Sequence, residues 1–207
     1  PHGTSMQFAP AFFTAGKKVI DLSADFRLRS MAAYEQWYGK HGAWDLVREA
    51  VYGIPELYRQ AIGRTRFVAV PGCYPTGAIL GLAPVVREHW IDTTTVIIDS
   101  KSGASGAGRE PQTTSLFCEV NEGFKAYKIG QHRHTPEMEQ ELSLLAGGEV
   151  TVLFTPHLVP MNRGILCTIY ATLKREVTAS DLVDLYREYY KGEKFIRVYK
   201  AGLFPNI

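Results

Sequence analysis

A cysteine set between a strand and the start of a helix is the residue of this chain best suited to chemistry. The apolar run Phe67-Val68-Ala69-Val70 reads as a buried strand and stops at Pro71-Gly72, a turn pair. After Cys73 and Tyr74 come Pro75, Thr76 and Gly77, then the helix-like Ala78-Ile79-Leu80-Gly81-Leu82-Ala83. Cys73 is therefore expected at a helix start. Backbone N–H groups without intrahelical partners and the positive end of the helix dipole gather there. That field favours a thiolate over a thiol. It also offers donors to an oxyanion forming on an attacked carbonyl. The functional reading is a nucleophilic cysteine; the bland one is a packing residue, which most lone cysteines are. Cys118, in Leu116-Phe117-Cys118, and Cys167, in the strand-like Ile165-Leu166-Cys167-Thr168-Ile169-Tyr170, are read as packing residues.

Three further constellations carry chemistry. Lys101-Ser102-Gly103-Ala104-Ser105-Gly106-Ala107-Gly108-Arg109 follows a strand. Its small residues let backbone approach a ligand, and serial N–H groups cradle anions. The spacing is not that of a dinucleotide fingerprint, and no apolar helix follows, so a Rossmann turn or a P-loop is rejected here. A surface loop is the competing reading. His132-Arg133-His134 precedes Thr135-Pro136-Glu137. In extended backbone the two imidazoles share a side. A neighbouring Arg and a helix start keep imidazole pKa low, which suits a general acid/base near neutral pH. A metal would need further ligands, for which His157 and His41 show no spacing pattern, so no metal is expected. Pro156-His157-Leu158-Val159-Pro160-Met161-Asn162-Arg163-Gly164 is a polar, Arg-bearing turn that could reach into a cleft, but an ordinary β connection is the commoner case and the favoured reading. Arg27 and Arg29 are ambiguous in the same way, since exposed arginines are mostly solvated. Together these parts fit thiolate attack on an activated acyl group, departure of an anion, and reduction or transfer of the thioester.

The elements that must position these residues are legible in part. A chain of 207 residues holds one large domain or two small ones. Hydrophobic and charged contents of 45% and 21% suit a globular protein. Lys+Arg 23 against Asp+Glu 21 gives +2, too little basic excess to argue for nucleic acid, and no apolar run approaches a membrane span. Three cysteines without framework spacing point to free thiols in a reducing compartment, and a cytoplasmic location is expected. Strands are expected at 17–23, 67–70 and 94–99, the last buried on both faces. A helix follows Cys73, kinked or ended by Pro84. Residues 24–66 show weak periodicity and read as loops with short helical turns. In the second half a strand is expected at 125–130. A helix with Thr135 as N-cap and Pro136 at its first position runs to 145 and stops at Gly147-Gly148. Strands follow at 150–159 and 164–173, a helix at 179–190, and a last strand at 195–199. The fold class is α/β (α+β), with a β-α-β-β-α-β second half that places helices on one face of a mixed sheet.

These motifs resemble the N-acetyl-gamma-glutamyl-phosphate reductase family, relatives of aspartate-semialdehyde dehydrogenase. The resemblance is carried by Val19-Ile20-Asp21-Leu22-Ser23-Ala24-Asp25-Phe26-Arg27, Tyr52-Gly53-Ile54-Pro55-Glu56-Leu57 and Pro71-Gly72-Cys73-Tyr74-Pro75-Thr76-Gly77. The Ser102–Gly108 loop, the His132-Arg133-His134-Thr135-Pro136-Glu137 segment and the Phe154–Gly164 segment continue it in the family's order. It implies the end of a Rossmann-type NADP domain over residues 1–72, followed by a mixed-sheet substrate and dimerisation domain over residues 73–207. It implies NADPH-dependent reduction of N-acetyl-L-glutamyl 5-phosphate to the 5-semialdehyde, with phosphate release, in arginine biosynthesis. Cys73 matches the family's nucleophile. His132 or His134 would be the acid/base, with His132 favoured. Ser102, Gly103, Ser105 and Gly106 would lie by the cofactor, and Arg109 and Arg163 would contact the substrate anion. A homo-oligomer acting on a small acyl phosphate is expected. The alternatives are the aminoadipyl-phosphate reductase of lysine biosynthesis and a cofactor-free cysteine hydrolase or acyltransferase. The family's N-terminal dinucleotide fingerprint and its C-terminal segment have no counterpart in this sequence. An internal piece, inactive alone and a poor NADP(H) binder, is therefore expected.

Overall fold

The computed structural model describes residues 2–108, 113 and 116–207. The chain divides into two compact units, the first ending at Thr76 and the second beginning at Gly77.

In the first unit α1 (Ser5–Thr14) is followed by β1 (Val19–Asp21), α2 (Met31–Tyr38), a 3-10 turn (Trp44–Glu49), β2 (Val51–Tyr52), α3 (Pro55–Arg64) and β3 (Phe67–Ala69). The strands form a parallel sheet with β3 in the middle, pairing Ile20 with Val68 on one side and Val51 with Val68 on the other. Residues 24–66, expected as loops with short helical turns, thus hold two helices, a 3-10 turn and a short strand. Their signals lie at the caps, not in apolar periodicity. The Ser30 hydroxyl accepts the Ala33 N–H at the start of α2, and Pro55 with Glu56 opens α3. Phe26, Val47, Phe67 and Ala69 make the core, with Phe13 and Trp44 packed against it.

The segment after β1 is structural. Asp25 is buried, and its carboxylate accepts the N–H groups of Gly3 at 2.7 Å, just before α1, and of Met6 at 3.0 Å, in the first turn of α1, where N–H groups lack intrahelical partners. Arg27, left open between a ligand contact and a solvated residue, is buried. It donates from Nε to the Val70 carbonyl at 2.7 Å and from Nη2 to the Leu22 carbonyl at 2.9 Å. It therefore ties the chain just past β1 to the chain just past β3. His41 is buried as well, bonded to the Asp25 carbonyl and to the Ala43 N–H, so it has no ring nitrogen to spare for a metal.

The division between the units falls inside α4 (Cys73–Arg87). Beyond it lie β4 (Val96–Ser102), a 3-10 turn (Ala104–Ala107), α5 (Phe117–Val120), β5 (Lys125–Ala126), α6 (Thr135–Ala146), β6 (Val152–Leu158), β7 (Ile165–Tyr170) and α7 (Ala179–Tyr189). The sheet order is β5-β6-β4-β7. β4 runs parallel to β6, with Ile98 opposite Phe154, and antiparallel to β7, with Ile98 opposite Ile169. The sheet is mixed, as expected. Val96 and Ile98 of β4, Val152 and Phe154 of β6, Met138 and Leu142 of α6, and Ile79, Leu82 and Val86 of α4 are buried. The other face of β4 is not buried. Ile97 is 40% exposed, beside Leu153 and Tyr170 at 53% and 56%.

Several boundaries differ from the sequence reading. β5 is two residues long, and residues 195–199 form no strand. His134 rather than Thr135 is the N-cap of α6, and Thr135 is its first helical residue. Pro84 neither ends nor breaks α4. Proline removes the N–H that the Leu80 carbonyl would accept within the helix. The Tyr190 hydroxyl donates to that carbonyl at 2.5 Å, and the Tyr186 hydroxyl donates to the Gly81 carbonyl. Gly81 also lets the helix lie flush on β7, since a Cβ there would stand 2.9 Å from Ile169 Cδ1.

α4 ends in a Schellman turn. The N–H of Trp90 reaches the Val85 carbonyl at 2.9 Å, and that of His89 reaches the Val86 carbonyl at 3.1 Å. This places His89 at φ 55, left-handed backbone that costs a side chain about 1–2 kcal/mol. His89→Gly is expected to stabilise the protein by about 1 kcal/mol. Urea melts of the two proteins check this; an unchanged or lower midpoint counts against the strain.

Candidate active site

Cys73 is the first residue of α4, four positions beyond the end of β3, the middle strand of a parallel sheet. Ligands of open α/β sheets bind beyond the carboxyl ends of the strands. The turn is fixed from within: the Gly72 carbonyl accepts the Thr76 N–H at 3.0 Å and the Thr76 hydroxyl at 2.9 Å. Cys73 is exposed, and no disulfide joins the three cysteines. Cys118, expected in the core, is exposed as well, because the helix that carries it is a single surface turn. Cys167 is half-buried, and its Sγ accepts the buried Ser100 hydroxyl at 3.0 Å.

In the second unit the two histidines are neighbours, with ring centroids 4.8 Å apart. The His134 N–H donates to His132 Nδ1 at 3.2 Å. A neutral ring that accepts at Nδ1 carries its proton on Nε2. The His132 ring meets Phe154 edge-on at 5.2 Å and Tyr127 at 5.8 Å. Burial, with Lys128 and Arg133 adding like charge, pulls its pKa down to about 4.

That depression has a sign for stability. The unfolded chain binds a proton at His132 below about 6.5, whereas the folded chain does not until about pH 4. Stability is therefore expected to fall as pH drops through this window. A fully enclosed ring would contribute about 3 kcal/mol, and solvent at its open edge brings this to about half. His132→Phe should flatten the dependence of the denaturation midpoint between pH 6.5 and 4; an unchanged slope would assign it to other groups.

The glycine-rich loop is pinned rather than loose. The N–H groups of Gly103, Ala104 and Ser105 donate to the carbonyls of Gly164, Met161 and Asn162 at 3.0, 2.8 and 3.1 Å. Ser102 and Gly103 are buried, while Ser105 and Gly106 are exposed. The polar turn at 161–164 is thus the seat of the loop, and Arg163 is an exposed residue within it. Arg109 lies outside the described residues.

One polar cluster was missed in the sequence. Asp99 Oδ2 lies 2.7 Å from Lys101 Nζ, and Asp99 Oδ1 lies 3.0 Å from His157 Nδ1, whose ring stacks on Phe124. Two charges at alternate positions of an apolar strand were the available signal. Among the described residues no three His, Cys, Asp or Glu side chains converge to hold a metal ion, and no helix is long and apolar enough to cross a membrane.

The semialdehyde dehydrogenase dimerisation domain matches residues 73–207, and the semialdehyde dehydrogenase NAD binding domain matches residues 1–65. The chain belongs to the semialdehyde dehydrogenase family. Within it, the chain is 55% identical over 207 residues to an N-acetyl-gamma-glutamyl-phosphate reductase of Geobacter metallireducens. It is 59% identical over 208 residues to one of Symbiobacterium thermophilum. Each alignment covers 100% of this chain and 60% of the relative, so the chain spans about 60% of the length of these relatives. The fold matches aspartate semialdehyde dehydrogenase II of Vibrio cholerae with TM-score 0.62 at 16% identity, covering 87% of this chain and 56% of that one. The Candida albicans aspartate semialdehyde dehydrogenase, solved with NADP, matches with TM-score 0.55 at 15% identity, covering 90% and 52%. The resemblance read from the motifs and the α/β fold class both hold within the semialdehyde dehydrogenase family.

Proposed function

We propose that this semialdehyde dehydrogenase chain carries the catalytic part of an NADPH-dependent reductase of N-acetyl-L-glutamyl 5-phosphate, serving arginine biosynthesis. One observation carries the reading. An exposed thiol opens a helix just past the middle strand of a parallel sheet, in a chain whose relatives at 55% and 59% identity bear that reductase's name.

The Cys73 thiolate attacks the acyl carbon, the carbon–oxygen bond to phosphate breaks, and phosphate leaves with its electron pair. A thioester on Cys73 remains. NADPH, when bound, supplies the hydride for its reduction. Collapse of the resulting thiohemiacetal frees the aldehyde and returns the thiolate. The oxygen gains charge at both stages, and a donor aimed at it lowers both barriers. His132, neutral with its proton on Nε2, suits that donor role. It does not suit the uptake of a second proton at neutral pH, so proton exchange falls to His134, the N-cap of α6.

Ser102, Gly103, Ser105 and Gly106 fit a cofactor contact. Pinning at Gly103, Ala104 and Ser105 holds the loop still, and its exposed part at 105–108 carries only Ser, Gly and Ala, which keep no bulk between backbone and a flat ring. NADP in the Candida relative supports this cofactor class. Arg163, with Arg109, is the candidate contact for the substrate's negative charges. We put the domain boundary between residues 72 and 73. A second copy of the chain is assigned to the open face at Ile97, Leu153 and Tyr170, consistent with a domain type described as a dimerisation domain. A cytoplasmic site of action, without nucleic acid as partner, completes the reading.

The test runs the reaction backwards in a chain extended to the length of the relatives. N-acetylglutamate semialdehyde, phosphate and NADP should yield NADPH only when all three are present. Activity with the aminoadipate semialdehyde alone would move the chain to the lysine branch. Thiol-dependent ester hydrolysis without nucleotide would make it a hydrolase.

A further inference from the structure

The two carbonyls that accept the Tyr190 and Tyr186 hydroxyls near Pro84 lie on the helix that opens with Cys73. We propose that Tyr190 and Tyr186 are positioning residues for the reactive thiol: Tyr190 supplies the Leu80 carbonyl with the donor that Pro84 withdraws from α4, and Tyr186 holds the adjacent Gly81 carbonyl. The proposal rests on Cys73 being the nucleophile.

Proline inside a helix costs about 3 kcal/mol and is a common cause of a sharp kink, because the carbonyl one turn earlier is orphaned and crowded by the ring. In α4 that carbonyl belongs to Leu80, and Gly81 follows it. Tyr186 and Tyr190 stand four residues apart, so one face of α7 and its C-cap presents both hydroxyls. Each donates to one of these carbonyls. Tyr190 is buried, and Tyr186 is buried enough that its pKa is pushed up to about 12, so it remains a donor across the working pH range. α7 is itself fixed at its start, where Thr178 and Asp181 form a capping box. The same turn of α4 is pressed from the β7 side at Gly81, where a Cβ would meet Ile169 at 2.9 Å.

The leverage is large. Leu80 lies seven residues from Cys73, which is about 10 Å along a helix at 1.5 Å per residue. A bend of about 20° at that point would move the thiol by about 4 Å. Displacements of about 1 Å are already costly to reacting groups.

Restoring the missing donor tests this. Pro84→Ala gives residue 84 an N–H for the Leu80 carbonyl, so Tyr190 becomes dispensable if supplying that donor is its role. Four proteins are compared: the starting chain, Tyr190→Phe, Pro84→Ala and the double variant. Iodoacetamide labelling is resolved cysteine by cysteine, with Cys118 and Cys167 as internal references. Hydrogen exchange of the α4 amides is followed in parallel. Tyr190→Phe should slow Cys73 labelling by about tenfold and speed α4 exchange, with Cys118 unchanged. The double variant should return to within about twofold of Pro84→Ala on both readouts. Tyr186→Phe, which keeps the Leu80 bond, should show the smaller effect. Equal losses in Tyr190→Phe and the double variant, or faster exchange in α4 with unaltered Cys73 labelling, would overturn the proposal. A Cys73 that labels no faster than Cys118 in the starting chain refutes the nucleophile reading instead, and exchange rescue by Pro84→Ala would still report on the clamp.

Discussion

In a chain extended to the length of the relatives, Cys73→Ser is expected to abolish the proposed reduction of the acyl phosphate, with a loss of roughly 10⁴-fold or more in kcat. A hydroxyl is a far weaker nucleophile than a thiolate at neutral pH, and a helix-start field that favours a thiolate is too weak to ionise an alcohol. No thioester then forms, so the later donors have nothing to act on. The loss corresponds to about 5 kcal/mol of barrier at 1.36 kcal/mol per decade. The fold should survive, because Cys73 is exposed and the turn is held by the bonds from Thr76 to the Gly72 carbonyl. The measurement is semialdehyde-dependent NADPH formation, with a mass spectrum of the enzyme mixed with acyl phosphate alone. An acyl adduct of unchanged yield on the serine variant would place the nucleophile elsewhere.

Gly103→Ala is expected to cost about 3 kcal/mol of stability, at the upper end for overpacking. A Cβ at this position would lie 2.8 Å from Arg163 N, 2.9 Å from the Asn162 carbonyl carbon and 3.0 Å from the Arg163 carbonyl carbon. All three are backbone atoms, so no rotamer change relieves the clash. The loop would have to leave its seat, at the expense of the bonds to Met161, Asn162 and Gly164. For a chain of this size the loss amounts to about 10 °C in Tm. Gly108→Ala is the control. Gly108 has φ +87 but nothing within 4 Å of its Cβ position, so only the backbone strain of about 1 kcal/mol applies. Thermal melts of both variants decide the matter. Equal shifts would mean that packing at Gly103 is not what fixes the loop.

How much of this was legible depended on where the information is written. The Cys73 turn was, because Pro71-Gly72 and the apolar runs on either side mark a strand end and a helix start locally. The stop of α6 at Gly147 was too, since φ 65 there is a conformation that glycine adopts freely. α2 and α3 were not, because short helices with little apolar periodicity declare themselves mainly by their caps. Pro84 misled because its compensation comes from Tyr186 and Tyr190, about a hundred residues downstream, where no local rule looks. Arg27 stayed ambiguous for a similar reason. Its partners are the carbonyls of Leu22 and Val70, and only the folded sheet brings those together. At the site, the spacing pairs the histidines only in extended backbone, whereas His134 has φ −82 and ψ −11 and a turn brings the rings together instead. The direction of the bond from the His134 N–H to His132 Nδ1 was not legible either, because it depends on the turn that ends in the N-cap of α6.

The strand order of the second unit has a consequence during synthesis. β4 is flanked by β6 and β7, both of which lie later in the chain. A ribosome must add about 50 residues beyond Ser102 before β6 begins, a wait of roughly 3–10 s at 5–20 residues per second. For that interval the apolar Val96-Ile97-Ile98 has no partner, the condition under which nascent strands from neighbouring chains pair with one another. Asp99 and Lys101 follow it directly, and before they meet each other they are bare charges. The pair described as a polar cluster on the finished sheet would by then have served as the guard of an unfinished one.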